Sequence, residues 1–235
     1  MSLGHRFLGE LHKGRCCGQE CPRSIPGLTS ARRLSCHVPT DLKSLPPLIL
    51  ASTSPRREEL LRKLGFEFRI APSSAPEIHP EGLTAAEVSR INAYRKARAV
   101  AKKHPDALVL GADTLVTLDG ALFGKPASLE EAFAMLERLQ GRTHEVVTGI
   151  CLLHLREHRQ RVSCETTTVT FRKLDEAGIQ RYLLKVNPLD KAGAYGIQEE
   201  RELIIERIAG SYSNVVGLPM ERLAAELRVW ERVSV

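Results

Sequence analysis

The chain has 235 residues, 43% of them hydrophobic and 26% charged, enough apolar material for one substantial core and close to the globular average. No apolar run approaches the ~18 residues of a membrane span, so no membrane partner is expected. The net charge of +6 does not describe a nucleic-acid binder: residues 1–44 carry seven Lys and Arg against three Asp and Glu, leaving a surplus of only two for the rest, and 5% aromatic content offers few stacking platforms.

Residues 1–44 are rich in Gly, Pro, Ser and Arg without periodicity and read as a poorly ordered basic extension. They contain Cys16, Cys17, Cys21 and Cys36. An organelle-type presequence, a start assigned too far upstream and a small zinc-binding appendage all remain open. For the last, Cys17, Cys21, Cys36 and His37 would be the ligands, although the first pair lacks the compact two-residue spacing. The boundary falls between Ser44 and Leu45, ahead of Pro46-Pro47, so residues 45–235 form the folded domain. Cys151 and Cys164 lie in strand-like segments and read as reduced thiols, which points to the cytoplasm.

From Leu48 the chain alternates strand and helix signals. Residues 48–50 are a buried strand, and residues 54–64 a helix with Ser54 as N-cap, Pro55 in its first turn and Gly65 at its end. Residues 66–71 form the next strand. A helix over 84–103 opens on a Thr84, Glu87 capping box and turns Val88, Ile91 and Ala99 to one face. Residues 108–114 read as a buried strand that ends on a carboxylate, followed by a short hairpin about Asp119-Gly120. Ser128 caps a helix to Leu139. Strands over 146–155 and 162–171, a helix from Asp175 to Lys185, a strand over 203–208 and a closing helix from Pro219 complete the chain. The alternation favours a sheet flanked by helices, while the long paired strands after Val146 argue against a purely parallel one, so the fold class is mixed α/β.

Several clusters bear on chemistry. Ser54, Pro55, Arg56 and Arg57 set a helix start with two guanidinium groups at a strand end, a ready anion site. Asp113 would hold a divalent cation or activate water, or else cap a turn. Lys125, in Gly124-Lys-Pro126, is either a point-charge phosphate ligand or a solvated loop lysine. His144 is a candidate base that alternation could equally place on an outer face. Residues 190–198, with two glycines, Tyr195 and Gln198, suit either close approach to a flat ligand or a glycine-rich connection.

Ser52-Thr-Ser-Pro-Arg-Arg57, Lys96-Ala97, Gly111-Ala-Asp-Thr114, Gly124-Lys-Pro126, residues 190–198 and Gly210-Ser-Tyr with Val216-Gly-Leu-Pro219 together resemble the Maf family of nucleoside triphosphate pyrophosphatases, in order over residues 47–230. The resemblance implies a mixed twisted sheet flanked by helices, with two lobes around a central cleft, as in inosine triphosphatases. It implies hydrolysis of a nucleoside triphosphate to monophosphate and pyrophosphate with a divalent cation, Mg²⁺ or Mn²⁺, and a possible homodimer. The catalytic carboxylate falls on Asp113, metal ligation on Glu77 and Asp113, and substrate contacts on Ser52, Arg56, Arg57, Lys96, Thr114, Lys125 and Gln198. Asp113-Thr114 and the 190–198 segment look like the branch acting on dTTP and UTP, with substrate marks on Arg56, Thr114 and Gln198; the alternatives are the 7-methyl-GTP branch and a nucleotide-binding regulator of septum formation with little turnover. Two departures stand out: residues 89–96 differ from the commoner Leu-Ala pattern before the lysine, and residues 72–77 lack the usual acidic pair, leaving Glu77 alone.

Overall fold

The computed structural model describes residues 45–65 and 67–232. The 1–44 extension, with its cysteines and its possible zinc ligands, lies outside the described residues. A single seven-stranded sheet in the order β2-β1-β3-β5-β6-β7 runs through the domain, with β4 paired to the free side of β3. β1 (Leu48–Leu50) pairs in parallel with β2 (Phe68–Ile70) and β3 (Leu108–Leu118). All other pairings are antiparallel: β4 (Ala121–Phe123) and β5 (Thr143–His154) on β3, β6 (Arg159–Phe171) on β5, and β7 (Ile205–Ala209) on β6. The expected mixed sheet is therefore present, and both walls of its cleft belong to one compact unit.

Both faces of the sheet are covered, which is why residues 108–112 of β3 read as an apolar run without alternation. Leu108, Leu110 and Ala112 turn to a core shared with α1 (Pro55–Arg62), α3 (Leu129–Leu139), α4 (Glu176–Leu183) and α7 (Met220–Arg232), where Leu61, Leu136, Tyr182 and Trp230 are fully buried. Val109, Cys151 and Leu153 turn to the opposite core against α2 (Ala85–Ala101). Burial pushes the Cys151 thiol up to about 12, and Cys164 is a second unpaired thiol, half-buried. Among the described residues no helix is long and apolar enough to cross a membrane.

α2 begins on the expected capping box, Thr84 Oγ1 accepting from the Glu87 N–H while the Glu87 carboxylate accepts from the Thr84 N–H. Of its expected face Val88 is fully buried, but the rest differs. Ile91 and Ala99 are only half-buried, and Val88 is joined at the sheet by Ser89, Asn92, Ala93 and Ala97 instead. The reason lies in the strands: a Cβ on Gly111 would stand 2.2 Å from the Ala93 carbonyl oxygen, and one on Gly149 2.4 Å from that of Ser89. The helix backbone rests directly on two glycines, so small residues rather than bulky ones line the contact.

Two further expectations are corrected. The strand expected over 108–114 and the first arm of the expected hairpin, 114–118, are one continuous β3, because β5 pairs with it from Leu108 to Thr117. The strand expected over 203–208 starts later: Arg201–Ile204 is a helical turn, α5, and β7 follows at Ile205. Tyr212–Val216 forms a further short helix, α6, which too few residues of periodic pattern could announce.

Candidate active site

β1 stops at Leu50, where the Ala51 N–H donates to the Leu110 carbonyl at 2.8 Å, and β4 takes up pairing only at Val116. Between these partners, residues 111–115 of β3 have no strand on that side. A cleft of about 550 Å³ opens against this bare edge, and because successive side chains point to opposite faces it collects groups from both. Asp113 turns toward α2, and Thr114 toward α1. Strand interruption, rather than strand termination, is what brings a carboxylate to the cleft.

The Arg57 guanidinium fills part of the gap. Nη1 donates to the Ala112 carbonyl at 3.0 Å and to Ser52 Oγ at 3.4 Å, Nη2 to Thr114 Oγ1 at 3.0 Å, and Nε to the Gly217 carbonyl at 2.8 Å. Thr114 Oγ1 is in turn 3.0 Å from Thr148 Oγ1, which donates to the Asn214 carbonyl. Every acceptor on Arg57 is neutral. Burial lowers its pKa, with Asp113 and Glu77 working against that, and the group stays charged. Ser54 occupies the N-cap position of α1 but its hydroxyl makes no cap bond; Ser52 Oγ instead accepts from the Ser54 N–H at 3.1 Å.

Asp113 is 2% exposed. Its Oδ1 accepts from Lys96 Nζ at 2.6 Å and its Oδ2 from Asn92 Nδ2 at 3.1 Å, both donors projecting from one side of α2 at an i, i+4 spacing. Lys96 also donates to Glu77 Oε1 at 2.7 Å, and Lys125 approaches the same oxygen at 3.4 Å. Burial alone would raise the Glu77 carboxyl, but Lys96 and Lys125 outweigh it and hold the group at about 2 against an ordinary 4.5. A depressed carboxyl stabilises the fold above its unfolded pKa, and that contribution is lost as pH falls through the folded value. Glu77→Gln is therefore expected to lower stability at neutral pH, with the difference closing as pH falls from about 4.5 toward 2. Thermal melts over that range check this, and a pH-independent difference would assign the loss to packing.

The nine residues expected at the site, Ser52, Arg56, Arg57, Glu77, Lys96, Asp113, Thr114, Lys125 and Gln198, all line this one cleft. Their environments differ. Arg56 does not face open space: Nη1 pairs with Asp190 Oδ2 at 2.7 Å and Nη2 donates to the Asp190 carbonyl at 3.2 Å, so its charge is neutralised by the 190–198 segment. Arg57, by contrast, has no directly bonded carboxylate among the described residues. Gln198 is exposed on the wall that carries Tyr195 and Ile197.

His144 falls outside the cleft. It is 2% exposed, its Nε2 lies 2.7 Å from the Tyr195 hydroxyl, and its ring packs edge-on against Phe171 and Tyr195. Burial pushes its pKa down to about 4, so it is a neutral core imidazole, neither the candidate base nor an outer-face side chain. Asn92 is the residue that the pattern of the chain missed. Its Oδ1 accepts from the Ile78 N–H at 3.0 Å and its Nδ2 donates to the Ile78 carbonyl at 3.1 Å, tying the segment that carries Glu77 to Asp113. The available signal was a lone amide on the buried face of an otherwise small and apolar helix stripe.

The Maf-like protein family profile matches residues 47–230, nearly the whole described domain. The chain belongs to the Maf family. Among curated relatives, a dTTP/UTP pyrophosphatase of Pelotomaculum thermopropionicum is 48% identical over 77% of this chain and 95% of its own length, and one of Symbiobacterium thermophilum 49% identical over 74% and 89%. A solved HAM1 protein from Coxiella burnetii aligns with 78% of this chain and 99% of its own at 18% identity and a TM-score of 0.44. The cleft at the bare edge of β3 thus lies wholly inside the Maf-matched region.

Proposed function

We propose that this chain hydrolyses dTTP and UTP to the monophosphate and pyrophosphate, as a cytoplasmic enzyme acting on free nucleotides. The observation that carries the reading is the placement of a nearly inaccessible carboxylate, Asp113, in the same cleft as Arg57, Lys96 and Lys125. Relatives bearing the name dTTP/UTP pyrophosphatase at nearly half identity support the substrate class. Arg57, Lys96 and Lys125 would hold the β and γ phosphates, matching the charge that spreads over phosphoryl oxygens in the transition state. Water would attack the α phosphorus as Asp113 accepts its proton, and the bond from that phosphorus to the bridging oxygen would break as pyrophosphate leaves.

Among the described residues no group of three or more His, Cys, Asp or Glu forms a self-sufficient ion site. Glu77 and Asp113 nevertheless share one cationic partner, Lys96, and their hard oxygens suit Mg²⁺ or Mn²⁺. Those two carboxylates would hold the ion, which when bound neutralises phosphate charge. The amide of Gln198 can pair with the carbonyl and N3–H edge common to uracil and thymine. A nucleotide panel read by pyrophosphate release is expected to show comparable use of dTTP and UTP, poor use of purines and dependence on a divalent cation. Preference for 7-methyl-GTP would overturn the substrate assignment, and binding without pyrophosphate release the assignment as an enzyme.

A further inference from the structure

We propose that Lys191 is a positioning residue for base selection, acting through the segment that carries Gln198; the inference rests on the pyrimidine reading of the cleft given above. Lys191 is only 5% exposed, and its ammonium donates to the Asn187 carbonyl at 2.6 Å and Asp190 Oδ1 at 2.8 Å and forms an ion pair with Glu199 Oε1 at 3.1 Å. Its stem runs beneath Gly196, where a Cβ would stand 2.8 Å from Lys191 Cε. The other oxygen of Asp190 takes Arg56 Nη1, so a continuous ionic chain runs from the first turn of α1 through Arg56, Asp190 and Lys191 to Glu199. Burial would raise the Asp190 carboxyl, but Lys191 and Arg56 outweigh it and keep it below the usual carboxylate range, so the chain of charges is intact at neutral pH.

Gln198 sits between two fixed neighbours. Ile197 is 2% exposed and packed into the core, and Glu199 is the residue that Lys191 holds. The earlier part of the segment is anchored independently, by the Gly193 N–H on the Gly124 carbonyl at 3.0 Å and the Gly196 N–H on the Tyr182 hydroxyl at 3.1 Å. On the far side of Gln198 the side-chain tethers are the Lys191–Glu199 pair, directly adjacent, and one residue on the pair of Lys185 Nζ with Glu200 Oε2 at 2.9 Å. None of these contacts reaches Asp113, Lys96 or Glu77, so loss of the ammonium releases the base-facing end of the cleft and leaves the phosphate end in place. A buried ionic network of this kind contributes little net stability; its value lies in fixing one conformation.

Lys191→Met keeps an unbranched stem under Gly196 and removes the ammonium with its charge and its hydrogen bonds. In steady-state pyrophosphate release it is expected to raise the KM for UTP at least ~10-fold, with kcat within ~3-fold, and to lower the ratio of kcat/KM for UTP over GTP at least ~10-fold, the scale of one lost discriminating hydrogen bond. Glu199→Gln loosens the same tether from its more exposed end and is expected to shift the ratio in the same direction by less, which keeps the test decisive if Lys191→Met folds poorly. An unchanged ratio in both variants, or equal losses on every nucleotide, would overturn the inference. Absence of pyrophosphate release by the unsubstituted protein would instead overturn the reading on which it rests.

Discussion

Asp113→Asn is expected to lower turnover at least ~100-fold, the usual scale for removing a general base. The substitution preserves shape but not donor and acceptor balance. Asp113 now presents two acceptor oxygens to two donors, Lys96 Nζ on one side and Asn92 Nδ2 on the other. An asparagine there can satisfy only one of them, and its amide nitrogen must face the second. A donor opposed to a donor in a site 2% exposed costs about 1–3 kcal/mol, so the variant should also melt a few degrees lower. The two effects separate cleanly when turnover is measured well below the melting transition, where the variant is fully folded. Turnover near the unsubstituted value under those conditions would remove Asp113 from the chemistry, whatever its contribution to stability.

What could be read in the chain and what could not divides along locality. The Thr84 and Glu87 capping box, the Ser128 and Asp175 caps and the hairpin about Asp119-Gly120 depend on residues within a few positions of one another, and each is found. The set of cleft residues was legible because the chain resembles a family whose motifs mark them. Their physical arrangement was not. Asp113 looked like the end of a strand because the run of large apolar residues breaks there, whereas the cleft arises from where β1 and β4 stop pairing, which no window around Asp113 contains. Arg56 and Arg57 are adjacent in a helix and look equivalent, yet one is neutralised by a carboxylate 134 residues away and the other is left to neutral acceptors. Sequence periodicity also placed Ile91 and Ala99 on the buried face of α2, and both are only half-buried. The face shifts to Ser89, Asn92, Ala93 and Ala97 because the strands meet the backbone of α2 at Gly111 and Gly149.

Gly111→Ala tests that contact and is expected to have the largest effect on the fold. The added methyl carbon would stand 2.2 Å from the Ala93 carbonyl oxygen and 2.8 Å from the Ala97 backbone nitrogen, so no side-chain rotation can relieve it. Either α2 moves away from β3 or the strand bends, and both disturb a surface that also packs on β5 through Gly149. Overpacking of this kind costs about 3 kcal/mol or more, which in a domain of this size lowers the melting temperature by about 10 °C. The same displacement would carry Asn92 and Lys96 away from Asp113, since both side chains leave α2 on the face that rests on the strand. Activity should therefore fall even at temperatures where the variant remains folded. Gly124→Ala is the control, because a Cβ there would meet only the His79 ring at 3.9 Å, and it should change stability by no more than about 0.5 kcal/mol. If Gly111→Ala melted within a degree or two of that control, close backbone contact would not be what seats α2 on the sheet, and the coupling between fold and cleft drawn through Asn92 and Lys96 would need another origin.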